Sequence, residues 1–85
     1  MPVNWFCYLL RCADDTLYCG ITNDLDKRLA AHNAGTASKC TRVRLPVELV
    51  FVEECGDRSE ASKRETEIKG LKRAEKLALV KAVAR

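Results

Sequence analysis

The sequence predicts an α+β fold, a three-stranded and mainly antiparallel sheet flanked by three helices. Three observations predict it. Trp5 to Cys12 and Leu17 to Thr22 are apolar runs of strand length, with the polar loop Ala13-Asp14-Asp15 between them. A third such run, Val47 to Glu54, stands alone farther along the chain. Three other stretches carry apolar residues at helical spacing, the first two with capping residues before them and glycines near their ends.

The hairpin comes first, and its loop length decides where Tyr8 and Tyr18 point. A two-residue turn on Asp14-Asp15 would set the tyrosines on opposite faces. A three-residue loop pairs Leu10 with Tyr18 and Tyr8 with Gly20, which puts both phenols on one face and leaves room beside Tyr8. Such loops end in a left-handed residue, and Asp15 tolerates that conformation better than most side chains. The three-residue loop is therefore expected.

Asn23 or Asp24 offers an N-cap for the first helix, Leu25 and Leu29 repeat at helical spacing, and Gly35 marks its end. On that helix Arg28 and His32 are four apart and share a face. Thr36 to Leu45 has no period and reads as a loop, closed by Pro46. In the third strand Val47, Leu49 and Phe51 form a fully apolar face by simple alternation.

The second helix starts at Asp57-Arg58-Ser59-Glu60, whose spacing is that of a capping box. Its inward stripe is Ala61, Glu65, Ile68 and Leu71. An inward carboxylate at Glu65 must be ion-paired, protonated or bound to a metal, since a bare buried charge is costly. Arg64 and Lys69 are the partners within reach on its own helix. Gly70 ends that helix. Arg73 to Ala84 forms the third, with Ala74, Leu77, Ala78 and Val80 facing inward.

The 85 residues suit a single domain spanning 1–85. No apolar run approaches the ~20 residues of a membrane span, and the N-terminus lacks an export pattern, so a cytoplasmic protein is expected. Five cysteines, Cys7, Cys12, Cys19, Cys40 and Cys55, include no C-x-x-C pair. That argues against a disulfide framework, a zinc site or a redox motif, and for thiols acting as small buried hydrophobes.

Net charge is only +3, but it is segregated. Lys27, Arg28, Lys39, Arg42 and Arg44 fall in one acid-free segment, while acids concentrate between Glu48 and Glu67. Lys39, Arg42 and Arg44 are candidates for contact with a polyphosphate backbone.

Two phenols, a guanidinium and an imidazole brought together suggest chemistry on an anion. Phe6-Cys7-Tyr8, then Tyr18-Cys19-Gly20, then Arg28 and His32 in KRLAAHN, resemble the GIY-YIG nuclease domain, in particular its small stand-alone bacterial members. The likeness covers nearly the whole chain. It implies hydrolysis of phosphodiester bonds in nucleic acid, DNA before RNA, in a process such as repair or recombination. It also maps the family's metal-binding carboxylate onto Glu65 in KRETEIK.

A lone carboxylate suits Mg2+, which keeps several waters, with Mn2+ as a substitute. Arg28 would neutralise phosphate charge, and Tyr18 or Tyr8, helped by His32, would act as base or orient the water. Nearby cations would have to lower the phenol's pKa for the first of these roles. The family's later asparagine has no counterpart, for none follows Asn33. A nucleic-acid-binding module with weak or no cleavage is the alternative.

Overall fold

The computed structural model describes residues 4–37 and 45–83. Its elements run β1 (Trp5–Arg11), β2 (Leu17–Thr22), α1 (Leu25–Asn33), β3 (Glu48–Cys55), α2 (Arg58–Lys69) and α3 (Arg73–Val83). The strands form one sheet in the order β2-β1-β3, antiparallel at both junctions.

The hairpin has the three-residue loop. Cys12 N–H donates to the Thr16 carbonyl (2.9 Å), and Asp15 N–H to the Cys12 carbonyl (2.9 Å). Asp15 takes the left-handed conformation, φ 71°. The Asp14 carboxylate accepts from Thr16 N–H (3.1 Å), a local bond that favours the turn. Register then pairs Tyr8 with Gly20 and Leu10 with Tyr18. Glycine at position 20 is a steric requirement, because a Cβ there would lie 2.5 Å from the Tyr8 hydroxyl.

Asp24 is the N-cap of α1, accepting from Lys27 N–H at 3.1 Å. The helix ends in a Schellman motif: Gly35 N–H reaches the His32 carbonyl (3.0 Å) and Thr36 N–H the Ala31 carbonyl (3.0 Å). Gly35, at φ 79°, supplies the left-handed residue this requires. The α1 end is also tied to the sheet, since Val47 N–H donates to Asn33 Oδ1 at 3.1 Å. Asp57 caps α2 by accepting from Glu60 N–H (2.9 Å), and Glu60 reaches back to Gly56 N–H (3.1 Å). That is the reciprocal pattern of a capping box, displaced by one residue.

Strand alternation divides the core in two. Cys7, Leu9, Cys19, Phe51 and Cys55 face Ala61 and Ile68 of α2. Tyr8, Leu10, Cys12 and Val47 form the other cluster, with Leu25 and Leu29 of α1 packed against it. The four cysteines among the described residues are buried and unbridged.

Two expectations are corrected. Val47, Leu49 and Phe51 do not share a face. Leu9 pairs with Phe51 but Leu10 with Leu49, so Val50 is the extra residue of a β-bulge. Leu49 therefore joins the Tyr8 cluster and Phe51 the Cys7 cluster. On α3, Leu79 and Val80 pack on the core, while Ala74, Leu77 and Ala78 are exposed. Apolar residues on both sides of that helix define two possible stripes. The contact with β3 selects the one holding Leu79.

Candidate active site

The hairpin and α1 together assemble the site. Tyr8 and Tyr18 leave the same face of the sheet, and α1 crosses that face with Leu25 and Leu29 inward. His32, one turn beyond Arg28, enters between the two rings. Tyr8 Oη lies 3.1 Å from His32 Nε2. Both phenols stand edge-on to the imidazole, at centroid distances of 6.0 Å for Tyr8 and 5.2 Å for Tyr18.

Depth grades the four side chains. Tyr8 and His32 are 2% and 1% exposed, Tyr18 is half-buried, and Arg28 is exposed. Burial pushes the Tyr8 phenol up to about 12, although the hydrogen bond from Arg28 pulls the other way. This reverses the expected direction, because desolvation outweighs the nearby cation. Burial also lowers the His32 pKa, and the Arg28 charge adds to that effect. Phenol and imidazole are thus both neutral at physiological pH.

A stability prediction comes from this. The folded pKa of His32 lies below its ordinary value of 6.5, so acidification protonates the unfolded chain first. The stability held at neutral pH is lost as pH falls from 6.5 through the folded value. His32 is the single histidine of the chain. The urea midpoint should therefore drop between about pH 7.5 and pH 5.5, and less so in His32→Gln. Parallel profiles for the two proteins would contradict the assignment.

Glu65 is placed differently. Its helix packs through Ala61 and Ile68 on the Cys7 side of the sheet, opposite Tyr8 and His32. The carboxylate is 24% exposed and pairs with Lys69 at 3.4 Å, while Arg64 turns to Glu53 at 3.0 Å. Nearby, the Cys7 and Cys19 sulfurs are 3.7 Å apart, and the hydrogen bond between them and burial both raise the Cys7 thiol pKa. Among the described residues, no group of three or more His, Cys, Asp or Glu side chains could hold a metal. Lys39, Arg42 and Arg44 lie outside the described residues.

Beside Arg28, away from the phenols, opens a cleft of about 340 Å³. Trp5, Ile21, the turn Thr22-Asn23-Asp24, Lys27, Arg28 and Ala31 line it. Sequence reasoning missed it, because it joins the start of β1 to the side of α1. The one available signal was the helical spacing of Lys27 and Ala31 behind the Asp24 cap.

A family model described as the GIY-YIG catalytic domain matches residues 4–78. A UPF0213 protein of Desulfotalea psychrophila is 52% identical over 79 residues, which is 92% of this chain and 72% of that one. A UPF0213 protein of Vibrio cholerae is 45% identical over all of this chain and 85% of its own. The solution NMR structure of a UPF0213 protein from Bacillus halodurans superposes with a TM-score of 0.61 at 38% identity, covering 94% of this chain and 85% of that one. That of a protein from E. faecalis gives 0.64 at 37% identity, covering 93% and 84%.

Proposed function

The chain belongs to the GIY-YIG family, and from that membership we propose that it is a divalent-metal-dependent endonuclease acting on nucleic acid, with DNA the favoured substrate. The observation that carries the reading is the Tyr8–His32 hydrogen bond, with Tyr18 and Arg28 beside it on one face. Phosphodiester hydrolysis needs an oriented water, neutralised phosphate charge and a stabilised leaving oxygen.

Arg28 is the outermost cation of the cluster, and its planar fork suits two phosphate oxygens. Tyr18, partly open to solvent, orients the attacking water. Tyr8 keeps its proton at neutral pH and links Arg28 to the imidazole. His32 is neutral, so it can take up a proton that passes through the Tyr8 hydroxyl.

Glu65 is the residue that would hold Mg2+, or Mn2+ in its place. It is accessible, and its partner Lys69 is 57% exposed on a flexible stem that a dication can displace. One carboxylate without a surrounding cluster fits an ion that keeps most of its water. Bound there, such an ion would supply Lewis-acid chemistry to a phosphate oxygen that reaches the Glu65 face of the sheet, opposite Tyr8 and His32. Contact with the phosphate backbone is proposed for Lys39, Arg42 and Arg44, and repair or recombination is the process proposed.

One observation favours a second reading. The near-complete burial of Tyr8 and His32 would equally serve a binding module that does not cut. Incubation with linear, flapped and branched DNA and with RNA separates the two, using Mg2+, Mn2+ or EDTA. Cleavage that needs the metal supports the nuclease. Binding of these substrates with no cut under either metal supports the module instead.

A further inference from the structure

We propose that the cleft beside Arg28 is a subsite for one unpaired nucleotide, its base against the Trp5 indole and its phosphate on Lys27 and Arg28. This rests on the nucleic-acid reading above and narrows it to substrates with unpaired residues at the cut.

Size comes first. At about 340 Å³ the cleft is at the lower end of the ~300–1,000 Å³ typical of small-ligand sites. It can take a nucleotide-sized group but not a length of duplex. Its lining then matches the parts of a nucleotide. Trp5 and Ile21 give an apolar wall, the Asn23 amide offers both donor and acceptor to a base edge, and two adjacent cations stand on α1. The one acid on the rim, Asp24, has an oxygen engaged in capping Lys27 N–H at 3.1 Å. The Arg58 guanidinium, 5.7 Å from the indole centroid, holds the ring by a cation–π contact and adds positive charge beside it.

Continuity supplies the last argument. Arg28 borders both this cleft and the gap beside Tyr8. A strand whose phosphate lies on Arg28 has its neighbouring nucleotide at the cleft. A base in a duplex is stacked within the helix and cannot pack on an indole until it leaves the stack. Aromatic contact of this kind tolerates any base, so the subsite would select for strand structure and not for sequence.

Trp5 is the single tryptophan, so its emission reports directly on the cleft. The unmutated protein is titrated in EDTA with oligothymidylate of about ten nucleotides, with the same strand carrying abasic sites, and with a blunt duplex. Anisotropy of end-labelled strands reads binding, and indole emission with unlabelled strands reads base contact.

The expected result is quenching by oligothymidylate, with little from the abasic strand or the duplex. Trp5→Leu should bind oligothymidylate about tenfold more weakly, bind the abasic strand unchanged, and recover in Trp5→Phe. Binding by anisotropy with unchanged emission overturns the subsite and leaves the nuclease reading standing. So does equal quenching by the blunt duplex. Failure of all three probes to bind overturns both. The emission measurement needs no variant, so it stands whether or not Trp5→Leu folds.

Discussion

Arg28→Ala is expected to slow cleavage about 100- to 1,000-fold, the usual cost of removing one preorganised donor from a developing oxyanion. The residue is exposed on α1 and outside both core clusters, so the fold should survive. Its removal also deletes the hydrogen bond that restrains the Tyr8 pKa and the charge that depresses that of His32. Arg28→Lys separates these effects. A lysine restores the positive charge but not the two-pronged geometry, so partial rescue identifies phosphate recognition. Single-turnover rates on a flapped substrate at saturating protein measure the change. A rate unaltered in Arg28→Ala would remove Arg28 from the mechanism.

Glu65→Gln should abolish metal-dependent cleavage while leaving substrate binding as it was. Glutamine keeps the size and hydrogen bonding of the side chain but loses the charge that retains a divalent cation. Folding should change little, because the Glu65–Lys69 pair at 3.4 Å is solvent-accessible and such pairs contribute about 0–1 kcal/mol. Rate and anisotropy should be read on the same preparation. Equal cleavage by Glu65→Gln and the parent would assign hydrolysis to the Tyr8 face without this carboxylate. It would equally prompt a search for a contaminating nuclease.

What could be read from the sequence was what neighbouring residues decide. The loop length followed from the tolerance of Asp15 for φ above zero, and it put Tyr8 opposite Gly20 and both phenols on one face. The Asp24 and Asp57 caps are equally local, as is the Gly35 stop. The run VELVFVEE hid the bulge, because a nearly continuous apolar strand carries no alternation to betray an extra residue. On α3 the stripes through Leu77 and Leu79 were indistinguishable until β3 supplied a partner. Within the site, helix periodicity turned Glu65 toward the sheet but could not say which face α2 would cover, since that depends on strand order. Depth was illegible for the same reason. Tyr8 and His32 lie beneath the surface because α1 crosses them, and that burial reversed the direction of the Tyr8 pKa.

The bulge at Val50 also decides how β3 can change length over generations. Losing one residue from a paired strand ordinarily turns everything beyond the gap inside out. Leu49 and Phe51 already pair with consecutive residues of β1. Excising Val50 would make them consecutive as well and leave each facing its present side. Losing Leu49 or Phe51 would remove a side chain from its cluster, and a deletion between Phe51 and Cys55 would turn Cys55 away from the Cys7 cluster. Val50 itself packs against the Cys7 cluster, so its loss would cost a contact there while leaving the face that carries Tyr8 in register.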